Sequence, residues 1–232
     1  MRPWHFQWLD AYYLHRDLKR LLPTLGGAVL DVGCGIKPYQ GWFGPLHSYV
    51  GLDVVSGPQV DVVVKPDGSW PLPDEHFDVL LSTQVLEHVE DLDLTVKEIV
   101  RVLKPGGVAL ITFPFLYNEH GAPYDFRRMT IHMARRLLQG FQITRLERHG
   151  GIGSTQTILL LNWLESTMNL NFATRLMKAV LLLPWLVLCF AANMLGLVVD
   201  KVDRTKAFYN NVLLVARKPE VSPRPKVGAP TA

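Results

Sequence analysis

The chain has 232 residues, which is enough for one α/β domain with a sizeable core, and its formal net charge is +3. The near balance of charge neither requires nor excludes an anionic partner, and no nucleic-acid partner is expected. Cys34 lies in a glycine turn and Cys189 in an apolar run, so a disulfide is disfavoured and a reducing cytosol fits. The aromatic N-terminus lacks the apolar pattern of a secretory signal.

The first predicted element is a helix from about residue 4 to residue 22. Its leucines recur three and four positions apart, and Pro23 ends the pattern. Aromatic residues crowd the first half of the helix. Two interpretations remain open: the helix packs over the edge of the sheet, or it acts as a lid or as a membrane-interface belt.

A buried strand over residues 28–32 runs into a glycine turn. Gly33 and Gly35 allow positive φ angles and let a ligand approach the backbone closely. Free N–H groups in such a turn form a polar cradle at the edge of a parallel sheet. A second strand over residues 49–53 ends in Asp53, where a carboxylate can accept hydrogen bonds from both ribose hydroxyls of an adenosine. The alternative for Asp53 is a turn or helix-capping residue.

Strand and helix patterns alternate through the middle of the chain. Further strands are predicted over residues 60–64, 77–82, 108–113 and 142–147. One helix is predicted to begin after its N-cap Asp91 and to end at the Lys-Pro-Gly-Gly segment 104–107. Another is predicted over residues 131–139, with Thr130 as its N-cap. Alternation with short loops predicts a parallel sheet with helices on both faces.

Four motifs follow one another in order: VLDVGCG, YVGLDV, FDVLLSTQVLEHVED and LKPGGVALITFPF. Together they resemble the class I methyltransferases that use S-adenosylmethionine, in the methyltransferase type 11-like branch. The resemblance covers residues 28–149 and implies a Rossmann-like, doubly wound α/β fold. Its sheet has seven strands, the last antiparallel over residues 211–217, with an apolar helical insert before that strand.

The predicted organisation has five parts. They are an N-terminal helix or lid (1–27), an S-adenosylmethionine-binding core (28–150), an apolar helical insert (151–208), the final core strand (209–218) and a disordered tail (219–232). By position, the resemblance also implies which residues contact the cofactor. The methionine part is bordered by Asp31, Gly33, Cys34 and Gly35; Asp53 binds the ribose; the adenine lies near Asp67 and Gly68; and Gln84 lies beside the methionine end and the substrate.

One departure from the family pattern follows the glycine turn. The family often has a further glycine there, whereas this chain has Ile-Lys-Pro-Tyr at residues 36–39. The ammonium group of Lys37 would disfavour a sulfonium cation if it pointed into the site. The Lys37 side chain is therefore expected to point outward.

A polar loop after the fifth strand is the predicted substrate side, because ligands bind at the carboxyl edge of such sheets. His88 and His120 are candidate general bases, since histidine titrates near neutral pH, although a structural role for His88 is also open. Asp125 is a candidate to orient one of them. Arg127 and Arg128 either grip an anionic substrate group or form a salt-bridge cluster that shapes the loop. Cys/His spacing predicts no metal site.

The run over residues 179–199 carries no charge and is long enough to span a membrane. A single crossing is disfavoured, because the strand at 211–217 must return to the same sheet and because Pro184, Asn193 and Gly196 interrupt the run. We therefore expect a helical insert that dips into one leaflet or lies at the interface, with flanking cations near anionic headgroups. The alternatives are a dimer interface and a cover over a deep apolar pocket.

These observations predict an S-adenosylmethionine-dependent methyltransferase. The expected acceptor is a small molecule, a lipid, a quinone or a lipid-linked glycan that is methylated on oxygen. The expected location is cytoplasmic, peripheral on the inner face of a membrane, with a dimer possible. The alternatives are a non-catalytic S-adenosylmethionine-binding or scaffold protein and a nicotinamide-dependent oxidoreductase; the third glycine of GxGxxG is absent, which disfavours the latter.

Overall fold

The computed structural model describes residues 1–66 and 68–220. Its seven strands are β1 (Gly27–Val32), β2 (Leu46–Asp53), β3 (Val62–Val63), β4 (Phe77–Thr83), β5 (Leu103–Pro114), β6 (Gln142–His149) and β7 (Asn211–Arg217). They form one sheet in the order β3-β2-β1-β4-β5-β7-β6, in which β7 runs antiparallel to β5 and β6. The predicted Rossmann-like sheet with an antiparallel last strand is confirmed.

Six α-helices accompany the sheet in the described residues. They are α1 (Trp8–Leu21), α2 (Leu92–Val102), α3 (Ile131–Leu137), α4 (Ile152–Met168), α5 (Phe172–Val180) and α6 (Leu182–Val202). Helices α2 and α3 pack on one face of the sheet and α1 packs on the other. The predicted N-caps are present: Asp91 accepts a hydrogen bond from the Leu94 N–H at 2.8 Å and Thr130 accepts one from the Met133 N–H at 3.2 Å.

Helix α1 begins later than predicted and covers a face of the sheet rather than its edge. Leu14, Leu18 and Leu22 are buried with side chains of β4, β5 and β7. Most of the aromatic residues before and within α1 pack against the C-terminal helices, whereas Trp4 is exposed. Tyr13 and Leu9 pack on Ile158 of α4. The packing interpretation of this helix therefore fits the structure.

Two strands differ from their predicted bounds. Strand β5 starts at Leu103, because Leu103 already pairs with Phe77 of β4. The Lys-Pro-Gly-Gly segment at residues 104–107, which is predicted to end the helix, lies within this strand. A register shift between Phe77 and Val79 accommodates it. Strand β3 keeps only two residues. Asp61, just before it, accepts a hydrogen bond from the Gly51 N–H at 2.6 Å, so a side chain replaces part of the backbone ladder there.

The C-terminal insert is helical, as predicted, but its break lies elsewhere. Helix α6 runs without interruption through Pro184, Asn193 and Gly196, and the chain bends at Leu181 between α5 and α6. Pro184 lies in the first turn of α6, where a backbone N–H has no partner within the helix and its loss is tolerated. The expectation that these three residues interrupt the run is wrong.

Asn193 and Gly196 instead fix where α6 packs. A Cβ at Gly196 would lie 2.8 Å from Thr157 Oγ1 of α4, so glycine permits the close approach of the two helices. The Asn193 side-chain amide donates to the carbonyls of Pro3 at 2.8 Å and His5 at 3.0 Å. These contacts bind the N-terminal segment to the insert.

Only a narrow stripe of α6 is buried, formed by Trp185, Cys189, Asn193 and Gly196. Among the described residues, α6 is the one helix whose length and composition would allow it to cross a membrane, and 22% of its apolar window is buried. We define the apolar surface of α5 and α6 by its exposed side chains: Leu176, Met177, Val180, Leu182, Leu183, Val187, Leu188, Phe190, Leu195 and Val198. Ten exposed large apolar side chains on two consecutive helices are more than the isolated surface hydrophobics that need no explanation.

Candidate active site

Two cavities meet at the glycine turn, at the carboxyl ends of the central strands. A cavity of about 470 Å³ is lined by Gly33, Asp53, Trp70 and His88, among others. A second cavity of about 250 Å³ is lined by Asp31, Gly33, Cys34 and Gly35, among others. Gly33 lines both. Residues predicted to border the methionine part and the ribose therefore lie side by side at the sheet edge.

The conformation of Gly33 excludes any side chain. Its φ angle is +69°, and a Cβ there would lie 2.3 Å from Val85 Cγ2. The N–H groups of Gly33 and Cys34 both donate to the Leu52 carbonyl, at 2.8 and 3.2 Å. The expected cradle of free N–H groups is thus wrong for these two residues, because their hydrogen bonds instead fasten the turn to the end of β2.

Asp53 ends β2 and faces the larger cavity. One carboxylate oxygen accepts a hydrogen bond from the Gly35 N–H at 3.0 Å, and the other accepts one from the Val55 N–H at 3.1 Å. The side chain is therefore oriented by the backbone before any ligand binds. Both interpretations of Asp53 are compatible with this geometry, because a turn-stabilising carboxylate retains lone pairs for ribose hydroxyls.

Asp31 and Cys34 are buried beside the smaller cavity. Burial raises the pKa of Asp31 to about 6, although the Tyr49 hydroxyl, which donates to it at 2.7 Å, acts in the opposite direction. Burial also raises the pKa of the Cys34 thiol to about 11, so Cys34 is neutral near pH 7. Cys34 and Cys189 are both free, as expected.

The loop where the adenine is predicted to lie contains Trp70, which the sequence analysis did not name as a site residue. Asp67 lies outside the described residues, and Gly68 is half-buried in the same loop. Trp70 lines the larger cavity, and its backbone is held on both sides. The backbone N–H of Trp70 donates to the Glu98 carboxylate at 2.8 Å, and the backbone carbonyl accepts a hydrogen bond from the Arg101 guanidinium at 3.0 Å. The signal available in the sequence was a large aromatic residue in a loop otherwise made of glycine, serine and prolines.

Gln84 and Lys37 both have positive φ angles at the edge of the site. The Gln84 amide donates to Thr112 Oγ1 at 3.1 Å, so its role beside the methionine end stays a prediction. Lys37 does not point outward as expected. Its ammonium group is 2.5 Å from Asp61, and its side chain is 9% exposed. Asp61 thereby neutralises the charge that would have opposed a sulfonium ion.

The two predicted histidines are brought together around a residue that sequence reasoning did not single out. The rings of His88 and His120 lie 4.7 Å apart, and the Nε2 atom of each lies 3.9 Å from Oε1 of Glu87. Glu87 is 0% exposed, and both of its carboxylate oxygens lack a hydrogen-bond partner among the described residues. Its position directly before His88 was the only signal in the sequence.

The environment of Glu87 disfavours an isolated negative charge. Burial raises the pKa of its carboxyl group to about 7, and the nearby guanidinium of Arg128 offsets only part of this effect. The nearby carboxylate of Asp125 acts in the same direction as burial. A proton or another cation is therefore favoured at this carboxylate near neutral pH.

The remaining predicted residues form a network that shapes the loop. Asp125 accepts a hydrogen bond from the His120 backbone N–H at 2.9 Å and pairs with both terminal nitrogens of Arg128, at 2.5 and 2.6 Å. The Arg128 guanidinium holds the pKa of Asp125 well below its usual range. The Asp125 carboxylate lies 3.7 Å from His120 Nδ1, too far for a strong hydrogen bond.

Arg127 donates to backbone carbonyls rather than facing the cavity. Its guanidinium reaches the carbonyls of Leu86 and Glu90, each at 2.9 Å, and that of Val89. The geometry therefore favours the loop-shaping alternative for Arg127 and Arg128 over a grip on an anionic substrate. The donors of Arg127 join the loop after β5 to the turn after β4, which carries Glu87 and His88, whereas Arg128 donates within the loop itself.

The order of the seven strands and the antiparallel last strand are typical of the Rossmann-like methyltransferase fold. A family model described as a methyltransferase domain matches residues 30–111. This match and the relatives described below support assignment of the chain to the class I, S-adenosylmethionine-dependent methyltransferases.

Three curated relatives illustrate the similarity. A "probable S-adenosylmethionine-dependent methyltransferase" of Mycolicibacterium smegmatis is 35% identical over 103 residues, 38% of this chain and 38% of that protein. The ubiquinone biosynthesis O-methyltransferase of Chelativorans sp. is 29% identical over 44% of this chain and 46% of its own length. The 2-methyl-6-phytyl-1,4-hydroquinone methyltransferase of Synechocystis sp. is 32% identical over 44% of this chain and 36% of its own length. The chain thus spans less than half the length of these relatives.

Solved structures share the fold over most of the chain. The [4+2]-cyclase SpnF superposes with a TM-score of 0.57 at 22% identity, covering 90% of this chain and 82% of the cyclase. Phosphoethanolamine N-methyltransferase 2 of Haemonchus contortus, in complex with S-adenosyl-L-methionine, has a TM-score of 0.53 at 19% identity, covering 92% of this chain and 56% of the enzyme. With the family match, such neighbours support S-adenosylmethionine as the cofactor.

Proposed function

We propose that the chain is an S-adenosylmethionine-dependent methyltransferase that methylates a hydroxyl oxygen of an apolar acceptor, such as a lipid, a quinone or a lipid-linked glycan. The observation that carries this proposal is the pair of cavities meeting at Gly33, with Asp53 on one wall and Asp31 on the other. The cofactor would supply a methyl group already activated on sulfur, so the protein has to position the acceptor and accommodate its proton.

The residues present fit the cofactor. Gly33 lines both cavities, so a ligand that spans them would pass along its bare backbone. Asp53 would accept the ribose hydroxyls, and Trp70 would pack near the adenine. Asp31, Cys34 and Gly35 would border the methionine part. His88 lines the larger cavity and has His120 and Glu87 beside it, so this cluster would lie next to the acceptor's hydroxyl.

An apolar acceptor is supported by two independent observations. Two of the relatives are methyltransferases whose names refer to ubiquinone and to a phytyl hydroquinone. The apolar surface of α5 and α6 is broad, and Arg175, Lys201 and Arg204 lie at its ends. A cytoplasmic protein with this surface would lie on the inner face of a membrane, where such acceptors dissolve.

Methyl transfer is tested with S-adenosylmethionine labelled in its methyl group. We expect label to pass into solvent-extractable material when the chain is incubated with bacterial membrane extract, and mass spectrometry should place the new methyl group on oxygen. The Asp53→Ala variant is the inactive control, because it lacks the proposed ribose contact. Label that stays entirely in the aqueous cofactor at every pH tried would contradict the proposal.

Membrane attachment is tested separately with liposomes that contain anionic lipid. Leu183 is 72% exposed on α6, so we expect Leu183→Glu to lower the liposome partition coefficient at least about tenfold, since a buried leucine contributes roughly 1.5–3 kcal/mol. Met133→Glu on α3 is the matched control, because Met133 is also exposed and the charge change is the same. Equal sedimentation of both variants and the parent chain would exclude this surface as the attachment site.

A further inference from the structure

We infer that Glu87, His88 and His120 form a binding site for one divalent transition-metal ion of the zinc type. Each residue offers one ligand atom, and the three atoms lie within 4.8 Å of one another. Two imidazole nitrogens and one carboxylate oxygen are a recurrent ligand set for catalytic zinc and related ions. The site joins residues of the turn after β4 with a residue of the loop after β5.

The distances suit a shared ion better than direct hydrogen bonds. Each histidine Nε2 lies 3.9 Å from Glu87 Oε1, which is too long for a hydrogen bond. Ligand atoms that bind one zinc ion at about 2.1 Å lie roughly 3.0–3.4 Å from each other in tetrahedral or similar geometry. Binding of one ion would therefore draw each Nε2 atom roughly 0.5–0.9 Å closer to Glu87 Oε1.

Both histidines are oriented as metal ligands usually are. His88 Nδ1 lies 2.6 Å from the Tyr124 carbonyl and His120 Nδ1 lies 3.3 Å from the Asn118 carbonyl. A carbonyl only accepts, so each Nδ1 carries the proton and each Nε2 directs its lone pair towards Glu87. Metal-bound histidines characteristically donate their other N–H to such a carbonyl.

The Glu87 carboxylate is a second, independent observation that points to a cation at this place. It is fully buried, and neither oxygen has a hydrogen-bond partner among the described residues. A buried carboxylate without a partner is strongly unfavourable, and a cation between Glu87 and the two histidines would remove the penalty. The nearest guanidinium, that of Arg128, is already paired with Asp125 through two hydrogen bonds.

A second acid–histidine cluster shows the contrast. Asp17, Glu147 and His149 also lie close enough together to share an ion. There, however, Asp17 is 2.9 Å from the Arg16 guanidinium and 3.6 Å from that of Arg145. Protein cations already neutralise the carboxylates of that cluster. The Glu87 site differs because, among the described residues, the guanidinium nearest to it is paired with Asp125 and forms no hydrogen bond with Glu87.

Three protein ligands leave at least one coordination position open. His88 lines the larger cavity, so the open position would face the space in which the acceptor is proposed to bind. An ion there would act as a Lewis acid and lower the pKa of an acceptor hydroxyl. This catalytic role depends on the proposed function, whereas metal binding itself does not.

The test uses the full chain after treatment with a chelator. We expect calorimetry to show one Zn²⁺ bound per chain, and Co²⁺ to give the visible absorption of a low-coordinate site. Glu87→Gln and His120→Ala should each weaken Zn²⁺ binding by about 100-fold or more. His132→Ala is the matched control, because His132 is exposed on α3, away from the cluster, and its loss should leave the affinity unchanged.

Binding of S-adenosylhomocysteine is measured on the same samples and reports whether each variant is folded. A variant that binds S-adenosylhomocysteine like the parent chain is taken as folded. The inference is overturned if either Glu87→Gln or His120→Ala is folded by this criterion and binds Zn²⁺ as tightly as the parent chain. If no sample binds S-adenosylhomocysteine but Zn²⁺ binding follows the expected pattern, the proposed function fails and the metal site stands. Thermal unfolding with and without Zn²⁺ then shows whether the samples are folded.

Discussion

The Asp53→Ala variant is expected to bind S-adenosylhomocysteine at least about 100-fold more weakly than the parent chain. Hydrogen bonds to a charged group contribute about 1.5–3 kcal/mol each, and Asp53 would form two with the ribose. Loss of roughly 3 kcal/mol corresponds to a factor of about 100 in the dissociation constant. Isothermal titration calorimetry of the folded variant measures this directly.

Two controls separate ribose recognition from damage to the turn. Asp53 also accepts the N–H groups of Gly35 and Val55, so Asp53→Asn, which retains one acceptor oxygen, should bind with intermediate affinity. Asp93→Ala changes an exposed aspartate in the first turn of α2 and should bind like the parent. Affinity of Asp53→Ala within about threefold of the parent would contradict the ribose assignment, and preferential binding of NADH would favour an oxidoreductase.

The Gly33→Ala variant is expected to be destabilised by about 2–4 kcal/mol and to lose measurable S-adenosylhomocysteine binding. The left-handed backbone conformation at φ +69° costs an alanine about 1 kcal/mol, and the overlap with Val85 adds the usual 1–3 kcal/mol of overpacking. Any relief of that overlap would move the turn that separates the two cavities. Denaturant unfolding gives the free energy of unfolding, and calorimetry gives the affinity.

Two other glycines provide graded controls for this substitution. Gly35 also has a positive φ angle, but a Cβ there meets no atom within 4 Å, so Gly35→Ala should be destabilised by only about 1 kcal/mol. Gly41 has neither a positive φ angle nor a neighbour, and Gly41→Ala should change stability by less than about 0.5 kcal/mol. If Gly33→Ala behaved like Gly41→Ala, the close packing at the turn would play no part in binding.

The local features of the site followed from short stretches of sequence. Each predicted strand was found, and Asp91 and Thr130 cap the helices they were expected to cap, because strand periodicity and capping depend on residues only a few positions apart. The order of the motifs also predicted that Gly33 and Asp53 meet at one edge of the sheet. Strand ends were less predictable, since β5 extends to Leu103 only through its pairing with Phe77.

The sequence by itself therefore determined the sheet, the glycine turn and the strand-end carboxylate, whose formation depends on neighbouring residues and on the connection rules of parallel sheets. Only the tertiary structure decided which charges are neutralised. It buried Lys37 against Asp61, directed Arg127 and Arg128 to the loop, and left Glu87 facing two histidines from separate loops. The pairings of Lys37 with Asp61 and of Glu87 with His120 join side chains far apart in the chain, and a one-dimensional pattern carries no record of their distances.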